Sequence, residues 1–449
     1  MMSGVYEKDG EIYLYTKGSL ESLIARSKSI QISNENKPLT DEIINKYKEI
    51  ETNMSEESLK VLAFAFKKVT KEIKDEDDYF KEEKDFTLVG LAGFKDPIRK
   101  NIKESIDKCK EAGINVIMLT GDNLQTAMTI AKEAGICAKE DECINASTLT
   151  KEDISKNINK YKVYARVSPE TKLQIVKAFQ KRHKVVAMTG DGVNDAPAIK
   201  LANVGIGMGK AGTDVTKDVS DIILLNDSFE TITTAVSEGR RIYDNVISNI
   251  LYNLSSNFTE ILIILFGMLT GNTIISAIHV LYIDLVADTV PSIALAYEGA
   301  SKNVMKQKPN GLNRKIFTKF FSAFLILSVI LETLISMIVY YHFLPNGENI
   351  AQTLALLSIV VNEFVFAYNC RSLKEQIHTR GFFRNKQLNI GILALLVVQV
   401  IVFFSPVGKI FGLTTVTVTE FIYVIVINII SLVIIEMLKP WIVKHFKDE

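Results

Sequence analysis

From about residue 247 the chain is dominated by apolar runs long enough to cross a bilayer, and this constrains its fold more than any other feature. A hydrocarbon core demands about 20 predominantly apolar residues per helix. Six segments qualify, at about 247–269, 273–295, 318–341, 351–369, 388–405 and 419–437. Backbone polar groups inside lipid must be paired within their own segment, so these runs predict an all-α transmembrane bundle of six helices. Loop charge orients the bundle. Lys302, Lys306, Lys308, Arg314 and Lys315 follow the second segment, and Arg371, Lys374, Arg380, Arg384 and Lys386 follow the fourth; the other loops hold one such residue, Lys409. The positive-inside rule puts both basic loops in the cytoplasm, and an even number of spans returns the tail "LKPWIVKHFKDE" to that side.

The residues before this half are rich in Lys, Glu and Asp. The start "MMSGVYEKDGEIYLY" has no apolar signal-peptide core, so this part is expected to stay in the cytoplasm. Lys and Arg together number 52, matched by 52 Asp and Glu, and no basic stripe stands out, which argues against a nucleic-acid partner. Cys109, Cys137, Cys143 and Cys370 lack CxxC spacing and are expected to be reduced thiols rather than a disulfide framework or a zinc site. The runs "FTLVGLAGF", "NVIMLTGD", "KVYARVSP", "VVAMTGD" and "VGIGMG" alternate with amphipathic stretches such as "ETKLQIVKAFQKR", a pattern that predicts a parallel α/β sheet. Residues 1–85 add strand-like "GEIYLYTKG" and "LKVLAFAFKKV".

Ligands of parallel α/β sheets gather at the carboxyl ends of the strands. "NVIMLTGDN" and "VVAMTGDGVNDAPAIK" each end an apolar strand in Thr-Gly-Asp, so Thr120, Asp122, Asp191, Asn194 and Asp195 are expected to converge on one pocket from two strands of one sheet. Glycines such as Gly121 let the backbone turn there and approach a ligand. Carboxylates with a hydroxyl and an amide suit Mg²⁺, which shares hard oxygen ligands with phosphate. Lys172, near the start of a helix after "VSPE", would place positive charge on a transferring phosphoryl group. One such triplet alone reads as helix capping. Two of them, with Asn194 and Asp195, point to a magnesium-phosphoryl site. Ionisable residues inside the membrane are costly and are functional candidates for that reason. The first span holds Ser256, Asn257 and Glu260, of which Asn257 and Glu260 share a helix face. In the second, Asp284 and Asp288 lie four apart on one face, and Pro291 would free the carbonyl of Ala287. These residues are expected to form a cation cage, with Glu363 of the fourth span as a further candidate.

"MTGDGVNDAPAIKLANVGIGMG" resembles the hinge signature of P-type cation-transporting ATPases. "KGSLE", "FKDPIRK" and "MLTGDN" are similar to that family's KGxxE, DPxR and TGD motifs and come in the family's order; the resemblance covers essentially the whole chain. It implies an α/β haloacid-dehalogenase-like (Rossmann-type parallel sheet) phosphorylation domain over 96–235, a partial nucleotide-binding domain over 1–95, and a stalk with helices five to ten of the pump over 236–449. It also implies ATP, lined by Lys17, Gly18 and Lys60, and Mg²⁺ at Asp191. Asn194 and Asp195 would support the phosphorylation site, with Thr120, Gly121, Asp122 and Lys172 around the phosphoryl group. The transported cation would take Asn257, Glu260, Asp284, Asp288 and Glu363. Three departures stand out. "KGSLE" lacks a proline common after that Lys-Gly pair, and Lys60 stands where arginine is common. Asp284 stands where calcium pumps usually carry asparagine, and "IDLVADTVPSIALAYE" is closer to the sodium/potassium and proton/potassium branch. No DKTGT occurs, so the chain as written is expected to lack the phosphorylated nucleophile and to be inactive alone. The resemblance implies the C-terminal part of a cell-membrane pump, with Ca²⁺ export placed first and an Na⁺/K⁺ or H⁺ type as the alternative. A non-pumping remnant, or a partner of a separate N-terminal chain, is the reading from a different class.

Overall fold

The computed structural model describes residues 1–8, 10–56, 59–69, 82–94, 98–309, 311 and 315–446, except the side chains of Glu56 and Lys60. The chain divides into two compact units, Met1–Thr233 and Thr234–Glu449.

The first unit opens with a six-stranded sheet in the order β1-β2-β5-β6-β3-β4. Its strands are β1 (Met2–Lys8), β2 (Glu11–Gly18), β3 (Ser27–Ile32), β4 (Glu35–Pro38), β5 (Lys60–Val69) and β6 (Phe86–Phe94). All pairs are antiparallel except β3 with β6. Alternation selects the buried face: Leu14 and Thr16 of β2 are buried while Tyr15 and Lys17 are exposed, as a period of two requires. Leu14, Ile30, Ala63, Phe86 and Leu88 form the core together with Leu20 and Leu23 of α1 (Leu20–Ile24). Ile43 and Tyr47, one turn apart on α2 (Asp41–Glu56), close over it. "FTLVGLAGF", expected among the parallel strands, is β6 and belongs to this mainly antiparallel sheet.

The expected parallel α/β layer follows, as two three-stranded sets rather than one sheet. β7 (Met118–Leu119) and β8 (Cys143–Asn145) flank β9 (Val163–Ala165); β10 (Ala187–Gly190), β11 (Val204–Met208) and β12 (Ile222–Leu224) form the other set. Both Thr-Gly-Asp strands, β7 and β10, are therefore edges of different sets, which corrects the expectation that they share a sheet. Leu119 packs with Met188, Val176 and Ile199, so one apolar core joins the sets without a hydrogen-bonded ladder between them. Helices α3 (Ile102–Glu111), α4 (Leu124–Glu133), α5 (Lys151–Asn157), α6 (Pro169–Lys181), α7 (Ala196–Leu201) and α8 (Asp214–Val219) connect the strands. Their starts are written locally. The side chains of Asn123, Thr150, Ser168 and Thr213 each accept a first-turn N–H, and Pro169 occupies the first turn of α6.

Among the described residues, the second unit contains six helices long and apolar enough to span a membrane. They are α9 (Phe229–Thr270, beginning just inside the first unit), α10 (Ala277–Ala296), α11 (Lys319–Phe343), α12 (Glu348–Cys370), α13 (Lys386–Phe404) and α14 (Val418–His445). At 42 residues, α9 is about 63 Å long, so the charged "SEGRRIYDN" and the first apolar segment are one uninterrupted helix, as a stalk requires. The most enclosed helix is α12, with 83% of its most apolar stretch buried. α11 shows how the bundle sorts its faces. Ile326, Ile330, Leu334 and Ile338 are exposed at intervals of four, while Ser328, Glu332, Ser336 and Tyr340 are buried at the same interval.

Part of the loop charge that orients the bundle is used internally. Glu298 and Arg371 are each 1% exposed at the side chain, with Arg371 Nε 2.9 Å and Arg380 Nε 3.1 Å from Glu298 oxygens. Asn385 Nδ2 donates a further bond at 3.0 Å, tying the end of α10 to the loop between α12 and α13. Breaking a buried pair by removing one partner costs about 3–5 kcal/mol. Glu298→Ala is expected to lower the thermal midpoint of the chain in nanodiscs by that order of stability; an unchanged midpoint would show the clamp to be dispensable. In the first unit, Lys162 at 2.6 Å, and then the N–H groups of Ala138 and Lys139, pull the Glu142 carboxyl from 4.5 down to about 2. A depressed carboxyl contributes stability that is complete above its unfolded pKa and lost as pH falls through the folded one. Wild type is expected to lose stability relative to Glu142→Gln between about pH 4.5 and 2, read by acid titration of unfolding.

Candidate functional site

Two clusters of candidate residues form, one in each unit. In the first, the turn after β10 is built around Gly190, where an added Cβ would sit 2.5 Å from Cβ of Asp195. The chain can fold back so tightly only because that position is bare. The short turn Val193–Asp195 follows Gly192, and Asp195 N donates to Gly192 O at 2.9 Å. Asp195 is buried and accepts a hydrogen bond from Lys172 Nζ of α6. Asp191 and Asn194 are exposed on the same turn. The Asp191 side chain makes no hydrogen bond among the described residues, while its carbonyl accepts from Thr213 N and the Thr216 hydroxyl.

The other Thr-Gly-Asp loop is held differently. Thr120 Oγ1 donates to Asp122 Oδ2 at 2.9 Å and accepts from Asp122 N at 3.1 Å, while Gly121 lies exposed between them. The carbonyls of Thr120 and Asp122 accept from Val167 N and Arg166 N, both at 2.9 Å. Arg166 has a φ of 50°, a conformation uncommon outside glycine, and leads directly to Ser168, the cap of α6. A continuous chain of bonds therefore runs from Thr120 and Asp122 through residues 166–168 and α6 to Lys172 and Asp195. The two loops are linked through α6 although their strands do not pair.

Lys17 is exposed at the end of β2, and Gly18 precedes Ser19, whose side chain caps α1. Lys60 lies three positions past Ala63, which pairs with Gly18, so its backbone is at the same end of the sheet; its side chain lies outside the described residues. Asp96 and Pro97 of "FKDPIRK" also lie outside them. Arg99 is described and donates to the carbonyl of Asp227. Backbone N–H groups of the Lys210 turn, Lys210 first, hold the Asp227 carboxyl below the usual range. The anchoring role of Asp227 carries no motif and was visible only in three dimensions.

In the second unit Tyr252, Ser256 and Glu260 of α9 are buried one turn apart. Ser256 Oγ donates to Glu363 Oε1 of α12 at 2.7 Å, and Tyr252 OH donates to Asp288 Oδ1 of α10 at 3.3 Å. Asp288 and Glu363 are thus bound by hydroxyls that stand one turn apart on α9. Glu260 Oε1 and Glu363 Oε2 are buried without a partner. Two expectations of placement are not met. Asn257 is exposed and turns its amide back to the Asn253 carbonyl at 2.8 Å, and Asp284 is exposed while Asp288 is buried. The reason for the second is local: Ile283–Asp288 takes the wide π-helical register, so positions four apart no longer align as in an α-helix. Thr289 Oγ1 takes the Asp284 carbonyl at 3.0 Å, and the interruption is a whole π turn ahead of Pro291 rather than one freed carbonyl. Among the described residues no three acidic, His or Cys side chains are assembled around a single point, so the three buried acids are neighbours and not yet a cage. Glu332 of α11, absent from the sequence-derived candidates, is buried against Ser255 and Thr259 of α9. The signal that marks Glu363, an ionisable residue inside an apolar segment, marks Glu332 equally.

A dehalogenase-like α/β layer together with, among the described residues, six helices long and apolar enough to cross a membrane defines an integral membrane protein. The chain belongs to the P-type cation-transporting ATPases: the haloacid dehalogenase-like hydrolase family matches residues 11–203, and the cation transporting ATPase C-terminus matches 272–441. It is 36% identical over 98% of its length to Calcium-transporting ATPase 1 of Bacillus cereus, and 35% identical over 95% to the Calcium-transporting ATPase of Bacillus subtilis, covering 52% and 48% of those proteins. The Calcium-transporting ATPase of Plasmodium falciparum is 32% identical over the whole chain, which covers 42% of it. The chain thus spans about half the length of the curated relatives it matches. Overpacking a tight site costs about 1–3 kcal/mol. Gly190→Ala is expected to lower stability by that order, read by denaturant unfolding; unchanged stability would refute the close approach of Asp195.

Proposed function

We propose that this chain carries the phosphoryl-handling loops and part of the ion path of an ATP-driven cation pump, with Ca²⁺ as the transported ion and the cell membrane as its site. The observation that supports this most is the burial of Glu260, Asp288 and Glu363 around one face of α9, with Tyr252 bonded to Asp288 and Ser256 to Glu363. Several acids buried together inside an apolar bundle can ionise only if positive charge enters among them. Several hard oxygens suit a divalent cation such as Ca²⁺, and the names of the relatives favour the same ion. On this reading Glu260 and Glu363, each with an unpartnered oxygen, close around the ion together with Asp288. Asn257 and Asp284, exposed here, join by rotation of their helix segments.

In the first unit Asp191 suits Mg²⁺, because it is exposed at the carboxyl end of β10 and its carboxylate takes no hydrogen bond among the described residues. Bound Mg²⁺ would neutralise phosphoryl oxygens there. Lys172, held by Asp195, presents a fixed positive charge to the same group, and Thr120 offers a hydroxyl. Asp122 orients Thr120, Gly121 leaves room for a phosphoryl oxygen, and Asn194 supports the turn. ATP would lie along Lys17, Gly18 and Lys60 at the sheet end. The aspartate to be phosphorylated would come from a DKTGT segment, which this sequence does not contain; the complete pump supplies it in the same chain or from a separate N-terminal partner.

The test uses the complete pump in proteoliposomes. Asp288→Asn with Glu260→Gln is expected to abolish ATP-driven Ca²⁺ uptake, and normal uptake would sink the ion assignment. Asp191→Ala is expected to lower phosphoenzyme formation by about 10²–10³-fold, the scale for losing one preorganised charge stabiliser. An unchanged level would remove Asp191 from the site.

A further inference from the structure

The buried stripe of α11 is not used by the reading above. Ser328, Glu332, Ser336 and Tyr340 are at most 3% exposed and stand one turn apart, opposite the apolar stripe that faces outward. Glu332 Oε2 accepts from Thr259 Oγ1 at 3.0 Å and from Ser255 Oγ at 3.3 Å, and Ser255 also donates to Ser328 Oγ at 3.0 Å. Glu332 Oε1, Ser336 Oγ and Tyr340 OH are buried and unpartnered among the described residues. α9 thus presents two polar faces from adjacent positions. Ser256 and Glu260 turn toward Glu363, whereas Ser255 and Thr259 turn toward Glu332.

A buried carboxylate needs a compensating charge. Glu332 forms no ion pair among the described residues, while the buried cations of this unit have other partners: Arg371 and Arg380 pair with Glu298, and Lys439 with Glu436. Arg240 and Arg241 of α9 are bonded to the carbonyls of Val304, Gln307 and Glu298, and the remaining titratable groups that act on Glu332 are Asp288 of α10 and Cys370 of α12. Neither of these last two brings positive charge. We propose that Glu332, with Ser255, Thr259 and Ser328, forms a second intramembrane site that takes one monovalent positive charge, a proton or an alkali cation. One carboxylate among hydroxyls balances a single charge, whereas divalent sites gather several carboxylates. Ser336 and Tyr340 continue the polar stripe toward the end of α11 remote from the basic loops, the side from which the charge would enter. The proposal rests on the membrane placement of this unit and not on which ion is pumped.

The test is the thermal midpoint of the whole chain in nanodiscs, for wild type and Glu332→Gln, which keeps the shape and loses the charge. Wild type is expected to gain stability in Na⁺ or K⁺ against choline at equal ionic strength if an alkali cation is bound, or with falling pH alone if a proton is bound. Glu332→Gln should lose that gain, and Thr259→Val should reduce it while still folding. Identical responses of wild type and Glu332→Gln to alkali cations and to pH would overturn the proposal. So would a tenfold or greater loss of half-saturating Ca²⁺ stabilisation in Glu332→Gln with its monovalent response intact, which would make Glu332 a divalent ligand. Absence of any Ca²⁺ response in wild type would count against the pumped ion alone, because the monovalent comparison stands without it.

Discussion

Carboxylates buried inside lipid-facing helices are the constraint on which the second unit depends. Where such acids occur near the loops, resident cations neutralise them: Glu298 by Arg371 and Arg380, Glu436 by Lys439. Glu260, Asp288, Glu332 and Glu363 have no such partner among the described residues; hydroxyls of Tyr252, Ser255, Ser256 and Thr259 bind the last three. A bundle that compensates its outer acids with its own cations and leaves the inner acids to hydroxyls is arranged for charge that comes and goes. The enclosure of α12 and the π turn in α10 serve that arrangement, one by removing Glu363 from lipid and the other by separating Asp284 from Asp288.

The first unit solves a related problem by hydrogen bonding. Its two Thr-Gly-Asp loops end strands that do not pair, so nothing in a β-ladder sets their relation. What does so is α6: residues 166–168 bind the first loop, and Lys172 binds Asp195 beside the second. Charge is thereby placed at the strand ends while Asp191 stays open to solvent. Gly190 is the steric condition for this, since Asp195 occupies the space a side chain would need.

Much of this was legible in the sequence because it is local. Hydropathy located the six spans, strand ends located Thr120, Asp122 and Asp191, and a helix start located Lys172. Helix phase was the weak point. Asn257 and Glu260 were expected to act together from their spacing, yet a difference of three residues leaves one exposed and the other buried, since the boundary of the buried face is set by the neighbouring helices. Asp284 and Asp288 failed as a pair because the helix changes register between them. Glu332 was readable in principle, but its significance depends on Ser255 and Thr259, which lie more than seventy residues away along the chain.

By itself the sequence determined the class of each half, the caps and strand ends, the number of spans and the order of family motifs, because periodicity, apolar length and turn chemistry act over a few residues. Only the tertiary structure decided which acids face one another, which basic loop residues are already paired, and that two identical triplets are joined through a helix rather than a sheet. Those are matters of which surfaces meet, and residue spacing along the chain does not encode them.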